Sequence, residues 1–177
     1  MRIIGGQYKG TRIHIPKTLK ARPTTDYARE SLFNILSNRY DLDQCAFLDL
    51  FSGSGLVSFE MVSRGCKHVS LVENHPVNFK FIKSVVQKYN FPIQCYRQDV
   101  FKALPRLQEK FDLIFADPPY DLYKISDIPS FVMNNEVLKK EGIFILEHGK
   151  RDNFEGHENF FEMRKYSAVH LSFFKPV

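Results

Sequence analysis

The sequence predicts an α/β protein: a mostly parallel, seven-stranded sheet with helices on both faces and an antiparallel hairpin at its carboxyl-terminal edge. Three observations carry this. From residue 46 onward, short apolar runs alternate with segments of helical spacing, the pattern of βαβ units. The runs at 46–50, 68–72 and 111–116 are largely apolar, as strands buried on both faces are. The last two strand-like runs, 160–166 and 168–174, follow one another with no helix between them, so they pair antiparallel.

Each element has its own justification. Residues 2–4 and 12–15 are β-like, and Gly5, Gly6 and Gly10 mark turns between them, which reads as an amino-terminal β-hairpin. Pro23-Thr24-Thr25-Asp26 reads as a helix start, with a threonine cap and an acid in the first turn. Ala28, Leu32, Ile35 and Leu36 give that helix its buried stripe. A strand at 46–50 precedes a helix over 56–64, which stops at Gly65. A strand at 68–72 precedes a helix opened by Pro76, with Phe79, Ile82, Val86 and Tyr89 at helical spacing. A strand at 93–97, a weak helix over 100–108 containing Pro105, a strand at 111–116, a helix over 125–139 and a strand at 143–147 complete the alternation. The expected organisation is a basic hairpin extension over residues 1–22 and one α/β domain over 23–177.

Bulk properties exclude several classes. With 177 residues, 44% hydrophobic and 25% charged, the chain is globular and long enough for one proper core. No apolar run approaches the ~18 residues of a membrane span, and the first residues lack the apolar segment of a signal peptide. Cys45, Cys66 and Cys95 are isolated, which argues against a disulfide framework or zinc site and suits a reducing cytoplasm. The six histidines form no HExxH or HxxxH pattern, so no metal is expected. Without a long heptad repeat, the default is a monomer. The charge is unevenly distributed. Residues 1–40 hold eight Lys/Arg against two acids, a net of +6, and the other 137 residues hold 17 against 18, a net of −1. A basic arm of this kind suits a polyanion such as nucleic acid.

The chemistry stands at the carboxyl ends of the strands, where open α/β sheets bind ligands. After the first strand comes Asp49-Leu50-Phe51-Ser52-Gly53-Ser54-Gly55, after the second Glu73, after the third Asp99, and after the fourth Asp117-Pro118-Pro119-Tyr120. Glu73 lies 20 positions beyond Gly53, the interval of an acid that takes ribose hydroxyls. A dinucleotide fingerprint would need a third glycine where Ser58 stands, and a pyrophosphate would not favour four acids. S-adenosylmethionine has no phosphate. Asp49 suits its cationic groups, Glu73 its ribose diol and Asp99 its adenine amine. The two prolines of the fourth motif cannot donate to a sheet ladder, so they stop the strand in a stiff corner. At an average proline content near 5%, that tetrapeptide arises by accident in well under ~1% of chains this long.

These strand-end motifs resemble those of class I S-adenosylmethionine-dependent methyltransferases. Arg2-Ile3-Ile4-Gly5-Gly6-Gln7-Tyr8-Lys9-Gly10, the Ile13 to Pro16 end of the hairpin, and the Arg22 to Asn34 block narrow the likeness. Together they resemble the RsmD family of bacterial 16S ribosomal RNA guanine-N2 methyltransferases, over nearly the whole chain and thinly after Leu146. The resemblance implies a Rossmann-like fold that binds S-adenosylmethionine through Asp49, Phe51, Ser52, Gly53, Ser54, Gly55, Glu73, Asn74, Asp99 and Val100. It implies catalytic roles for Asp117, Pro118, Pro119 and Tyr120, and a 16S RNA partner within a small-subunit particle. Arg2, Lys9 and Arg12 would contact phosphates, and Arg22 and Thr24 would line the route from cofactor to base. Tyr8 can stack on RNA or pack locally, and Arg29 and Arg39 can be a solvated helix face. Glu147-His148 also resembles a family feature, with no mechanism attached. The rival readings are an N6-adenine or N4-cytosine DNA methyltransferase sharing the proline corner, a nicotinamide oxidoreductase, and a non-catalytic RNA-binding module.

Overall fold

The computed structural model describes residues 1–19, 26–119, 125–166 and 169–177. Its centre is a seven-stranded sheet in the order β3-β2-β1-β4-β5-β7-β6. The strands are β1 (Ala46–Leu50), β2 (His68–Val72), β3 (Ile93–Tyr96), β4 (Phe111–Ala116), β5 (Leu138–His148), β6 (Phe160–Tyr166) and β7 (Val169–Phe174). The first five run parallel and the last two antiparallel. The helices are α1 (Asp26–Arg39), α2 (Leu56–Ser63), α3 (Pro76–Tyr89), α4 (Val100–Ala103) and α5 (Ile128–Asn134). The doubly wound sheet with an antiparallel edge is as the sequence predicts.

Strand alternation divides the core in two. Phe47, Leu113, Phe115, Ile145, Leu171 and Phe173 point to one face, against α1, α2 and α3. Leu48, Leu50, Ile114, Ala116, Phe144, Leu146 and Phe174 point to the other, where α4, α5 and Phe154 cover them. Cys45 and Cys66 are buried and Cys95 half-buried, all as free thiols, and burial pushes the first two up to about 11.

Three elements differ from expectation. The weak helix over 100–108 breaks after Ala103, and Pro105 sits in a 3-10 turn, Leu104–Arg106. The helix expected over 125–139 is shorter: a 3-10 turn, Ile125–Asp127, precedes α5, and the chain then turns through Glu136 at φ 52°. The charged run after it belongs to β5, because Leu138 finds its partner in Phe111 at the start of the strand. The amino-terminal hairpin is reduced to a single bridge, Arg2 to Arg12.

The two short arms of the hairpin pair with each other, the Ile3 N–H donating to the Thr11 carbonyl at 3.0 Å and the Ile13 N–H to the Met1 carbonyl at 2.8 Å. Main-chain donors of the segment between them go to α2. The N–H groups of Ile4 and Gly5 donate to the two oxygens of Glu60, at 2.8 and 2.7 Å. Those of Gln7 and Tyr8 donate to the carbonyl and hydroxyl of Ser63, at 2.7 and 3.0 Å. Gly6 sits so close that an added Cβ would lie 1.8 Å from the Ser63 carbonyl oxygen, at φ +73°. Ile3 and Ile13 join the core beside Phe33 and Phe59, and Tyr8 packs edge-on against Phe91 at 5.0 Å. Arg29 is fully buried, donating to Asp26 at 2.8 Å and to the Arg2 carbonyl at 2.9 Å, while Arg39 pairs with Glu162 at 2.7 Å. The arm is therefore seated on the domain from Ile3 to Ile13.

Candidate functional site

Strand order reverses between β1 and β4, and a doubly wound sheet opens a crevice at that point, beyond the carboxyl ends of the strands. The loop after β1 forms one wall. Ser52 closes it, its hydroxyl donating to the Asp49 carbonyl at 2.9 Å and its N–H to the Val72 carbonyl at 3.1 Å. The Gly55 N–H then donates back to the Ser52 carbonyl at 2.7 Å. Phe51 is held at φ 60°, sparsely populated for an aromatic residue and of the kind that gathers at functional sites. Gly55 is required where it stands: at φ +75°, a Cβ would approach the Phe59 ring to 2.8 Å and Ile82 to 3.1 Å. Ser54 and Gly55 are buried, Phe51, Ser52 and Gly53 half-buried.

Four acids line up along this edge. Asp49 is 2% exposed and accepts a 2.6 Å hydrogen bond from the Ser58 hydroxyl of α2. Burial pushes its carboxyl up to about 7, and the nearby Asp117 and Glu73 carboxylates act in the same direction. Glu73 is also buried and ties two loops together, accepting from the Gly53 N–H at 2.7 Å and the His75 N–H at 2.6 Å. Burial raises its proton affinity, and these hydrogen bonds oppose the rise. Asp99 caps α4, accepting from the Phe101 N–H at 3.0 Å. Phe101 meets Phe51 edge-on at 6.4 Å, which joins the loop after β1 to the loop after β3 beside the buried Val100. Asp117 is half-buried directly after β4, Pro118 is buried and Pro119 exposed, and Asn74 is exposed after Glu73. Tyr120, Arg22 and Thr24 lie outside the described residues.

The polar contacts inside α2 are the ones sequence reasoning missed. Every residue of this helix is buried, yet Ser58, Glu60 and Ser63 stand among its apolar neighbours. Polar groups in a fully buried helix must find partners, and that was the available signal. Ser58 holds Asp49, while Glu60 and Ser63 hold the arm. The arm residues themselves are spread out. Arg2 pairs with Asp26 at 3.3 Å, near the start of α1. The turn carrying Lys9 rests on the carboxyl-terminal end of α2, at the amino ends of the parallel strands and away from the acids. Arg2, Lys9 and Arg12 are all exposed.

At the end of β5, His148 is fully buried with an unambiguous tautomer. Its Nδ1 faces the Gly149 carbonyl at 2.9 Å and so carries the proton, leaving Nε2 to accept from the Ser172 hydroxyl at 2.7 Å. Burial holds its pKa below the ordinary value, so the ring is neutral. This is a structural lock between β5 and β7. Glu147, also buried, points to the same face of the sheet as Ile145 and Leu171. Among the described residues, no cluster of three or more His, Cys, Asp or Glu is placed to hold a metal, and no helix is long and apolar enough to cross a membrane.

The sheet order and the acids ranged along one crevice define the Rossmann-like fold of class I methyltransferases. The chain belongs to the RsmD family, described as conserved hypothetical protein 95, whose model matches residues 1–175. It is 32% identical over 148 residues to the ribosomal RNA small subunit methyltransferase D of Buchnera aphidicola subsp. Baizongia pistaciae, an alignment covering 83% of this chain and 75% of the relative. A Thermus thermophilus hypothetical protein superposes with a TM-score of 0.86 at 26% identity, over 99% of both chains. A T. thermophilus 16S rRNA N2 G1207 methyltransferase, in complex with AdoMet and guanosine, shares the fold with a TM-score of 0.70 at 22% identity. That match covers 87% of this chain and 44% of the other.

Proposed function

We propose that this protein transfers the methyl group of S-adenosylmethionine to the exocyclic N2 amine of a guanine in small-subunit (16S) ribosomal RNA. The observation that carries the reading is the run of acids at four successive strand ends, closed by a proline corner. The names of its relatives supply the RNA.

The donor set fits S-adenosylmethionine. Its sulfonium, ammonium and ribose diol call for carboxylates, and the crevice presents Asp49, Glu73, Asp99 and Asp117. The two Glu73 oxygens accept one main-chain bond each and one from the Asn78 side chain, which leaves lone-pair capacity for a ribose hydroxyl. Asp99 spends one oxygen on its helix cap. The loop Phe51, Ser52, Gly53, Ser54 and Gly55, followed by Asn74 and Val100, completes the proposed cradle, with Gly55 letting the loop pack closely on Phe59 and Ile82. Bound there, S-adenosylmethionine supplies an electrophilic methyl group on a cationic sulfur.

The corner after β4 handles the nucleobase. A guanine amine is a poor nucleophile because its lone pair is delocalised into the ring. Asp117 accepts one of its N–H groups and the Pro118 carbonyl the other, turning the lone pair out of conjugation. Pro118 and Pro119 keep that carbonyl fixed, so the gain is preorganisation and orientation. Tyr120 stacks on the base, worth about 1–3 kcal/mol. Asp117 need not be a strong base, since the methylated amine loses its proton readily. The target base must leave its stack, which favours an RNA loop. Residues 1–22 serve as the RNA-binding extension through Arg2, Lys9 and Arg12, with Arg22 and Thr24 along the route, and residues 23–177 as the catalytic unit. The acting species is a cytoplasmic monomer on a small-subunit particle.

The test is transfer of tritiated methyl to small-subunit RNA from cells lacking the modification, followed by mapping of the labelled base. N2-methylguanine is the expected product, whereas label on duplex DNA at adenine N6 or cytosine N4 would replace this reading with its rival. Asp117→Ala should abolish turnover and leave cofactor affinity largely intact by calorimetry. Equal loss of both would put Asp117 in the wrong role.

A further inference from the structure

The excess positive charge of the sequence lies in the first 40 residues, but the sheet places other cations beside the crevice. β5 ends at His148, so Lys150 and Arg151 stand immediately past its carboxyl end, and both are exposed. β7 runs antiparallel to β5 and sets His170 opposite His148, and β6 sets Lys165 opposite His170. Residues directly opposite one another point to the same face. His148, His170 and Lys165 therefore form one row across the sheet end, with Lys165 exposed at its outer edge.

The same corner carries aromatic surface. Tyr27, in the first turn of α1, is 66% exposed and meets Tyr166 of β6 edge-on at 6.4 Å. That contact fixes the start of α1 over the tip of the β6–β7 hairpin.

The cations are unneutralised. Among the described residues, Arg2, Arg29, Arg39, Arg64, Lys139 and Arg164 make ion pairs, and Lys150, Arg151 and Lys165 make none. Asp152 is felt at His148 but forms no ion pair with any of the three. Burial, and then the charges of Lys165 and Lys150, lower the proton affinity of His170, so both ammonium groups act on the same ring. Like charges gathered without ion-pair partners among the described residues, with the exposed Tyr27 on the half-buried Tyr166 at the other face of the same hairpin tip, form a surface for a strand that offers both phosphates and base faces.

We propose that Lys150, Arg151 and Lys165, with Tyr27 and Tyr166, form a second RNA-binding rim that grips the phosphate backbone beside the target nucleotide. This rests on the RNA-methyltransferase reading and assigns to it a contact surface apart from the Lys9 turn of the amino-terminal arm, with Arg2 of that arm paired to Asp26 at its edge. The arm's turn at Lys9 lies toward the amino ends of the strands, whereas this rim stands at the carboxyl ends with the acids. The two surfaces bracket the domain, and the rim is the one that orients RNA over the crevice.

The experiment measures binding of a full-length small-subunit RNA transcript against salt concentration, by anisotropy. The proteins are the wild type, the triple variant K150Q/R151Q/K165Q and a control, K110Q/K140Q/K175Q. The control removes the same charge from exposed lysines at the other end of the sheet. With roughly 0.7–0.9 of log–log slope per phosphate contact, the rim variant should lose about 2 to 3 from the slope and at least tenfold in affinity. Its cofactor affinity should stay unchanged by calorimetry, and the control slope should fall by less than about 1. Tyr27→Ala should weaken binding further and Tyr27→Phe should restore it. Equal slopes for rim and control variants would overturn the proposal in favour of net charge alone. A rim variant that binds the transcript normally but loses transfer on intact particles would overturn it in favour of a ribosomal-protein contact. If the wild type neither binds nor methylates RNA, the functional reading fails instead, and the two failures are distinguishable.

Discussion

Replacing Asp49 by asparagine should make the ligand-free protein more stable at neutral and alkaline pH. The Asp49 carboxyl moves from an ordinary 3.8 to about 7 because the fold strips it of water. Between those values the folded chain retains a proton that the unfolded chain has released. Stability therefore declines as pH rises through that window and levels off above it. At about 1.4 kcal/mol per pH unit, the cost of the ionised acid is ~0.6 kcal/mol at pH 4, ~1.6 at pH 5 and ~4 above pH 7, the last an upper bound. Asparagine keeps the shape and can still accept the Ser58 hydroxyl, without the charge. Urea denaturation of both proteins at pH 5, 6 and 8, without cofactor, reads the difference directly. The gain should grow with pH and be accompanied by a loss of affinity for S-adenosylmethionine. Equal stabilities at pH 8, or a difference that does not change with pH, would refute the reasoning.

Glu73→Gln places an amide NH2 against a main-chain donor, either Gly53 or His75. Calorimetry should show cofactor affinity lower by 10-fold or more, with stability reduced by about 1–3 kcal/mol; unchanged affinity would remove Glu73 from the cradle. Gly55→Ala forces a side chain to φ +75° and onto the Phe59 ring, and should cost roughly 2–4 kcal/mol in a thermal melt; an unshifted midpoint would count against the packing described for this loop. Glu60→Ala strands the N–H groups of Ile4 and Gly5 and removes the partner of Arg64. A loss of about 3 kcal/mol is expected, with early proteolytic cleavage within residues 1–19, and resistance equal to the wild type would show that the arm is seated by other contacts.

What the sequence disclosed depended on how local the cause was. The bounds of β1, β2 and β4 are those read from apolar runs, since a strand buried on both faces announces itself residue by residue. Pro76 opens α3 as expected, with the His75 side chain accepting from Val77 as a cap. The run Leu138 to Gly142 was not legible as strand because its charges, Lys139, Lys140 and Glu141, are consecutive and show no alternation, and only pairing with β4 assigns it to a strand. The hairpin formed where it was read, but only over a short stretch, because the donors of Ile4 and Gly5 go to acceptors 56 and 55 positions away. The acids were legible because each stands at or just past the carboxyl end of a strand. That Ser58 would hold Asp49 was not, since it requires knowing which face of α2 meets β1.

The seat of the arm has a consequence for how such a protein can diversify. Glu60 grips Ile4 and Gly5 through main-chain N–H groups, which nearly every residue type possesses. The exposed side chains of the segment, Arg2, Lys9 and Arg12, are therefore free to drift toward new targets while Gly6, the buried Ile3 and Ile13, and the socket on the helix stay put. A chimera that transplants this segment into a cousin should work only when the glutamate and Ser63 travel with it, and a swap of the segment alone should leave it dangling.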